Sequence, residues 1–171
     1  MKLSRLGLAA LLVGGCSPNL DWRETRFEGT GVVARFPCRP DRHARAVVVA
    51  GTATKIEMLV CSDAGVTFAV SLFDVADPAQ VTPALTELRA TALGNIAGRQ
   101  VESAAARIEG MTPNPQAVQV SMAGRLPDGA AVQEQAAFFA RGLRVYQASL
   151  IGAMLAPEVA ATFFAGLKLP S

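Results

Sequence analysis

The chain has one histidine and three cysteines in its 171 residues, and neither type is arranged for catalysis. His43 stands beside Arg42 and Arg45, with Asp41 close in sequence. Neighbours on an extended chain point apart, so no histidine–carboxylate pair for general acid/base work is set up. A surface-loop histidine is expected. No Cys-x-x-Cys pair occurs, which excludes the usual zinc-ribbon and thioredoxin-like arrangements. There is no G-x-S-x-G elbow, no H-E-x-x-H and no P-loop. Gly29-Thr30-Gly31 lacks the lysine and the spacing that cradle phosphate. Asp74 and Asp77 flank a loop without the further oxygen ligands that calcium needs. The expectation is a protein that is not an enzyme and holds no metal or cofactor. Basic residues interleaved with aromatics are also missing, so no nucleic-acid partner is expected.

Long apolar runs are absent as well. The longest lies at the start, from Leu6 to Val13, far short of the roughly 20 residues that span a bilayer. Lys2 and Arg5 precede it, and Gly14-Gly15-Cys16 follow it. Positive end, short apolar core and small residues are the layout of a secretory signal. The stretch Leu12-Val13-Gly14-Gly15-Cys16 resembles the lipobox of bacterial lipoproteins, with Val13 where leucine is commoner. That resemblance implies thioether lipidation of Cys16, cleavage after Gly15 and acylation of the new amino group. Several acyl chains would anchor the chain stably, where one alone binds only marginally. Ser17, rather than aspartate, follows the cysteine. In Gram-negative lipoproteins this implies sorting to the outer membrane, facing the periplasm. The alternative is an ordinary secretory signal followed by a chance cysteine.

The division expected is a signal peptide over 1–15, a lipidated cysteine and short tether over 16–20, and a globular domain over 21–171. The tether reaches on the order of 15 Å when extended. The chain carries 16 basic and 14 acidic residues. Loss of Lys2 and Arg5 with the signal leaves a neutral domain, so net charge points to no polyanionic partner. Apart from Lys55 and Lys168, its basic residues are arginines.

With Cys16 assigned to lipid, Cys38 and Cys61 remain as an even pair in an oxidising compartment, which favours a disulfide. The bridge would close a loop of about 22 residues and contribute about 3 kcal/mol in the loop-entropy model. Two buried free thiols are the alternative. Side-chain parity argues for caution: Cys38 continues the face of Phe36, whereas Cys61 continues that of Lys55 and Glu57. Pro37 is a place where the first strand could reset.

Alternation of apolar and polar residues predicts strands over Val32–Phe36, Arg45–Ala50, Thr52–Cys61 and Val66–Leu72. Trp22 and Phe27 suggest an opening strand, and Gly29-Thr30-Gly31 a turn. Two helix starts are available. Asp77-Pro78 offers a cap with proline at the first position; Thr82-Pro83 offers another, and is preferred because Pro83 is awkward inside a helix already begun. Leu85, Leu88, Ala92 and Ile96 share a helical face, with Gly98 as a stop. A strand over Val101–Glu109 and a meander through Val118–Met122, Val132–Ala140 and Leu143–Ile151 follow, with turns at Pro127-Asp128-Gly129 and Arg141-Gly142. Pro157 opens a last helix carrying Val159 and Phe163, Gly166 ends it, and Leu167–Leu169 form a tail or edge strand.

Hairpin-length connections make the sheet antiparallel and the fold class α+β. Arg35-Phe36-Pro37-Cys38-Arg39-Pro40 resembles the F-P-x-x-P signature of small bacterial lipoproteins with a PsbP-like fold. The segment Gly142–Ala148 and the terminal Phe163-Phe164 also fit. The resemblance implies a twisted antiparallel β-sheet flanked by two helices. A serine common near those phenylalanines is replaced by Ala165-Gly166.

Arg35, Arg39, Arg42 and Arg45, with His43, form the one local charge cluster. They are candidates for binding anions such as lipid phosphates at the membrane; a solvated loop is the alternative. Two functions are left open: an envelope lipoprotein that binds a protein partner or supports an assembly, or one that binds a small ligand or lipid.

Overall fold

The computed structural model describes residues 20–170; the lipobox and Cys16 lie outside them. Nine strands and two helices follow one another: β1 (Arg23–Phe27), β2 (Val32–Phe36), β3 (Asp41–Val49), β4 (Thr52–Asp63), β5 (Val66–Asp74), α1 (Val81–Asn95), β6 (Arg99–Ala105), β7 (Val118–Arg125), β8 (Ala131–Arg141), β9 (Arg144–Gly152) and α2 (Pro157–Ala165). Strands β3 to β9 form one seven-stranded sheet in the order β3-β4-β5-β9-β8-β7-β6, antiparallel throughout. β1 and β2 form a separate hairpin. The α+β class, the antiparallel sheet and the two flanking helices are all present.

Apolar side chains are buried on both faces of the sheet. On one face Leu85, Leu88, Ala92 and Ile96 of the α1 region pack with Phe73, Val120, Met122, Phe138 and Val145. On the other, β2 and α2 pack with Leu59, Phe68, Val70, Phe139 and Leu150. Phe163 of α2 is fully buried there, edge-to-face against Phe36 at 5.8 Å and Phe68 at 5.6 Å between ring centres. Burial on two faces explains β5. Val66, Phe68, Val70 and Leu72 enter the α2-side core, and Phe73 the other.

Two polar contacts dock the β1–β2 hairpin on the sheet, and an ion pair within the sheet orients one of their donors. Tyr146 Oη donates to the Thr30 carbonyl at 3.0 Å. Arg144 donates to the Gly29 carbonyl at 2.7 Å and to both Asp74 oxygens at 2.7 and 2.8 Å. The C-terminal segment completes this side. Val33 and Lys168 exchange backbone hydrogen bonds at 2.9 Å in each direction, and Leu169 N–H donates to the Glu109 carbonyl at 2.8 Å.

The first helix begins earlier than the preferred sequence reading. Asp77 accepts from Ala79 N–H at 2.7 Å and caps a 3₁₀ turn over Pro78–Gln80, which runs directly into α1. Pro83 is then third in α1, where a missing N–H costs nothing because the first four have no partner in the helix. The stop also differs in detail. Ala97, not Gly98, adopts the left-handed conformation, with φ +43°. Ala97 N–H donates to the Gly94 carbonyl and Gly98 N–H to that of Leu93, the two bonds of a Schellman end. Ala97→Gly is therefore expected to stabilise the fold by about 1 kcal/mol, since glycine carries no Cβ penalty there. A rightward shift of the urea midpoint at unchanged slope would show it; an unchanged midpoint would count against the strain.

Candidate functional site

The structure joins Cys38, just beyond β2, to Cys61 on β4 in a disulfide with Cα atoms 6.0 Å apart. The parity problem dissolves because β2 belongs to a hairpin lying over the sheet rather than to the sheet. The face of Lys55 and Glu57 becomes a core face further along β4: Leu59 and Cys61 are buried with Phe36 and Phe68. The bridge thus bolts the hairpin layer to the sheet.

The four arginines of the local cluster do not converge. Arg35 lies on β2, and its aliphatic stem packs so close to Gly166 that a Cβ there would stand 2.7 Å from it. Arg39 lines a cleft of about 470 Å³ with Asp21, Arg23, Phe27, Pro37 and Pro40, where Arg23 is paired with Asp21. Arg42 and Arg45 alternate across β3. Arg42 stands opposite Leu59, and its guanidinium holds Glu57 through a 3.1 Å bond from Nε. That hydrogen bond lowers the Glu57 carboxyl below the usual carboxylate range. His43 and Arg45 stand opposite Met58 and Ile56, on the α1 side. A run of charge in sequence becomes, on an extended edge strand, two half-runs on opposite faces.

Asp74 and Asp77 are occupied otherwise, the first by Arg144 and the second as the cap described above. The Arg144 guanidinium lowers the Asp74 carboxyl. No group of three or more potential metal-ligating side chains occurs among the described residues.

Two features escaped the sequence reading. Glu134 on β8 is 6% exposed, opposite Met122 and Ile151, with no ion-pair partner among the described residues. Burial pushes its carboxyl up to about 7. The signal was available: Val132, Glu134, Ala136 and Phe138 occupy one strand face, so Glu134 inherits the environment of its apolar neighbours.

The other feature is a groove of about 460 Å³ between the β4–β5 turn and the start of α2. Leu20, Val66, Phe68, Leu155 and Val159 line it, and Met154, 78% exposed, stands at its side. Leu20, the first described residue, thus lies at this groove. Trp22, two residues on, meets Phe68 edge-to-face at 5.7 Å. No helix among the described residues is long and apolar enough to cross a membrane.

No family model and no curated protein matches the chain. Among solved structures it is similar to a protein of unknown function from Pseudomonas aeruginosa, at 12% identity and a TM-score of 0.43, over 77% of this chain and 82% of that one. A likeness this slight carries no argument about function.

Proposed function

We propose that the chain is an envelope lipoprotein whose non-enzymatic domain, held beside the membrane by lipid on Cys16, engages a protein partner or supports an assembly. The observation that carries the reading is the Cys38–Cys61 bridge. It accounts for two of the three cysteines, favours an oxidising compartment, and leaves Cys16 as the remaining thiol, placed behind an apolar signal. In the PsbP-like lipoproteins that the sequence resembles, the F-P-x-x-P segment follows an early strand. Here Pro37, Arg39 and Pro40 line the cleft beside the bridge, a rigid and partly polar surface suited to protein contact.

The anchor is assigned to the outer membrane on its periplasmic side, on the strength of Ser17. The Leu20 end of the domain then lies nearest the bilayer. Cys16→Ala is expected to abolish acylation and signal cleavage and to leave a precursor that no longer partitions with the outer membrane. Cell fractionation and intact mass read both. Unchanged attachment and processing would sink the proposal. Crosslinked purification of the lipidated protein from membranes is expected to recover a specific protein partner.

The second reading, a lipid-binding lipoprotein, is favoured by the groove at Leu20 rather than by the cleft.

A further inference from the structure

We propose that the groove at the Leu20 end holds one of the acyl chains carried by Cys16 itself. This rests on the reading of Cys16 as lipidated. Leu20 lies four positions after Cys16, at most about 14 Å of extended backbone, and already lines the groove. The attachment point is therefore confined to the neighbourhood of the groove mouth. Binding within one molecule is governed by an effective concentration set by the tether, which is high for a linker this short.

The walls set the chemistry. Val66, Phe68, Met154, Leu155 and Val159 present aliphatic and aromatic surface, and the groove volume of about 460 Å³ falls in the range of small-molecule sites. Methionine adapts to an irregular apolar guest. The only charged side chains among the lining residues are Asp63 and Glu158. A free fatty acid or an anionic phospholipid would bring a negative head group to two carboxylates. An acyl chain joined to Cys16 by an amide at its amino group, or by an ester on its thioether-linked glyceryl group, brings no charge. The same two carboxylates disfavour pressing this end flat onto an anionic leaflet. The acyl chain gives up one apolar environment for another, so little transfer free energy opposes its entry. The chains that stay in the bilayer keep the protein anchored, because two membrane signals suffice.

The test uses the full chain, expressed with its own signal in cells fed a fatty acid bearing a photoreactive diazirine. After irradiation, reduction and tryptic digestion, the acylated peptide 16–23 is expected to be crosslinked to peptide 56–89 or peptide 145–168 of the same chain. Val159→Trp, which fills the groove, is expected to lower that crosslink severalfold at unchanged acylation. Crosslinks confined to bilayer lipid, or joining two copies of the chain, overturn the inference and leave the lipidation reading standing. An intact mass lacking acyl groups overturns both.

Discussion

Replacing Cys38 and Cys61 together by alanine is expected to lower the free energy of unfolding by about 3 kcal/mol, through the entropy that the cross-link removes from the unfolded chain. The two cysteines lie 23 positions apart, but the loop between them crosses layers, leaving the β1–β2 hairpin and returning through β3 into β4. The double variant should lose stability without losing the sheet. Equilibrium urea unfolding of the soluble domain measures it, and the parent in strong reductant should move to the same midpoint. Coincident curves for oxidised, reduced and variant protein would show that the bridge adds nothing. Partial loss in one region is a second readout. Hydrogen exchange should speed first at β1, β2 and the Pro37–Pro40 segment, since without the bridge that layer is held by packing and by a few polar ties through Gly29, Thr30 and Lys168.

Glu134→Gln is expected to act in the opposite direction. The folded carboxyl titrates near 7, whereas an unfolded glutamate titrates near 4.3. Between those values the unfolded chain has released the proton that the folded chain still holds. Stability therefore falls as pH rises through this window and levels off above it. A gap of this size corresponds to about 4 kcal/mol at alkaline pH. Glutamine keeps the shape and cannot ionise. The variant should match the parent below pH 4, exceed it by about 4 kcal/mol at pH 8, and lack the parent's downward slope between. A parent profile with no downward slope from pH 5 to 7 would mean that water or a cation solvates the carboxylate. Glu134 lines neither the groove nor the cleft, so the gain in stability should leave both surfaces unchanged.

What could be read from the sequence was local. Val66, Phe68, Val70 and Leu72 announce β5 by alternation alone, and Ser62-Asp63-Ala64-Gly65 before it reads as a turn, in which Ala64 and Gly65 adopt positive φ as a two-residue hairpin loop demands. The disulfide followed from cysteine parity once Cys16 was set aside. What could not be read was which layer each element joins. The side-chain phases of Cys38 and Cys61 conflict only if β2 and β4 share a sheet, and no local pattern says that they do not. The arginines between Arg35 and Arg45 look like one patch in one dimension, and the two-residue period of β3 divides them. The helix start depended on whether Pro83 falls inside the first turn, a matter of one or two residues. The groove at Leu20 is assembled from three separated segments, so no single stretch of sequence displays it. Gly166 ends α2 for a reason that only the tertiary structure shows: the stem of Arg35 occupies the space that a side chain would need.

The exchange of backbone hydrogen bonds between Val33 and Lys168 has a bearing on the order of events during synthesis. A chain delivered amino end first presents β1 and β2 early. The edge of β2 at Val33 has no partner until Lys168 has been made. Non-local pairings of this span are slow to form, because the whole intervening chain must be ordered before they are rewarded. Closure of the hairpin layer is thus timed by a segment more than a hundred residues further along the chain, and β1 and β2 wait, formed as a hairpin but unjoined, while the sheet is made.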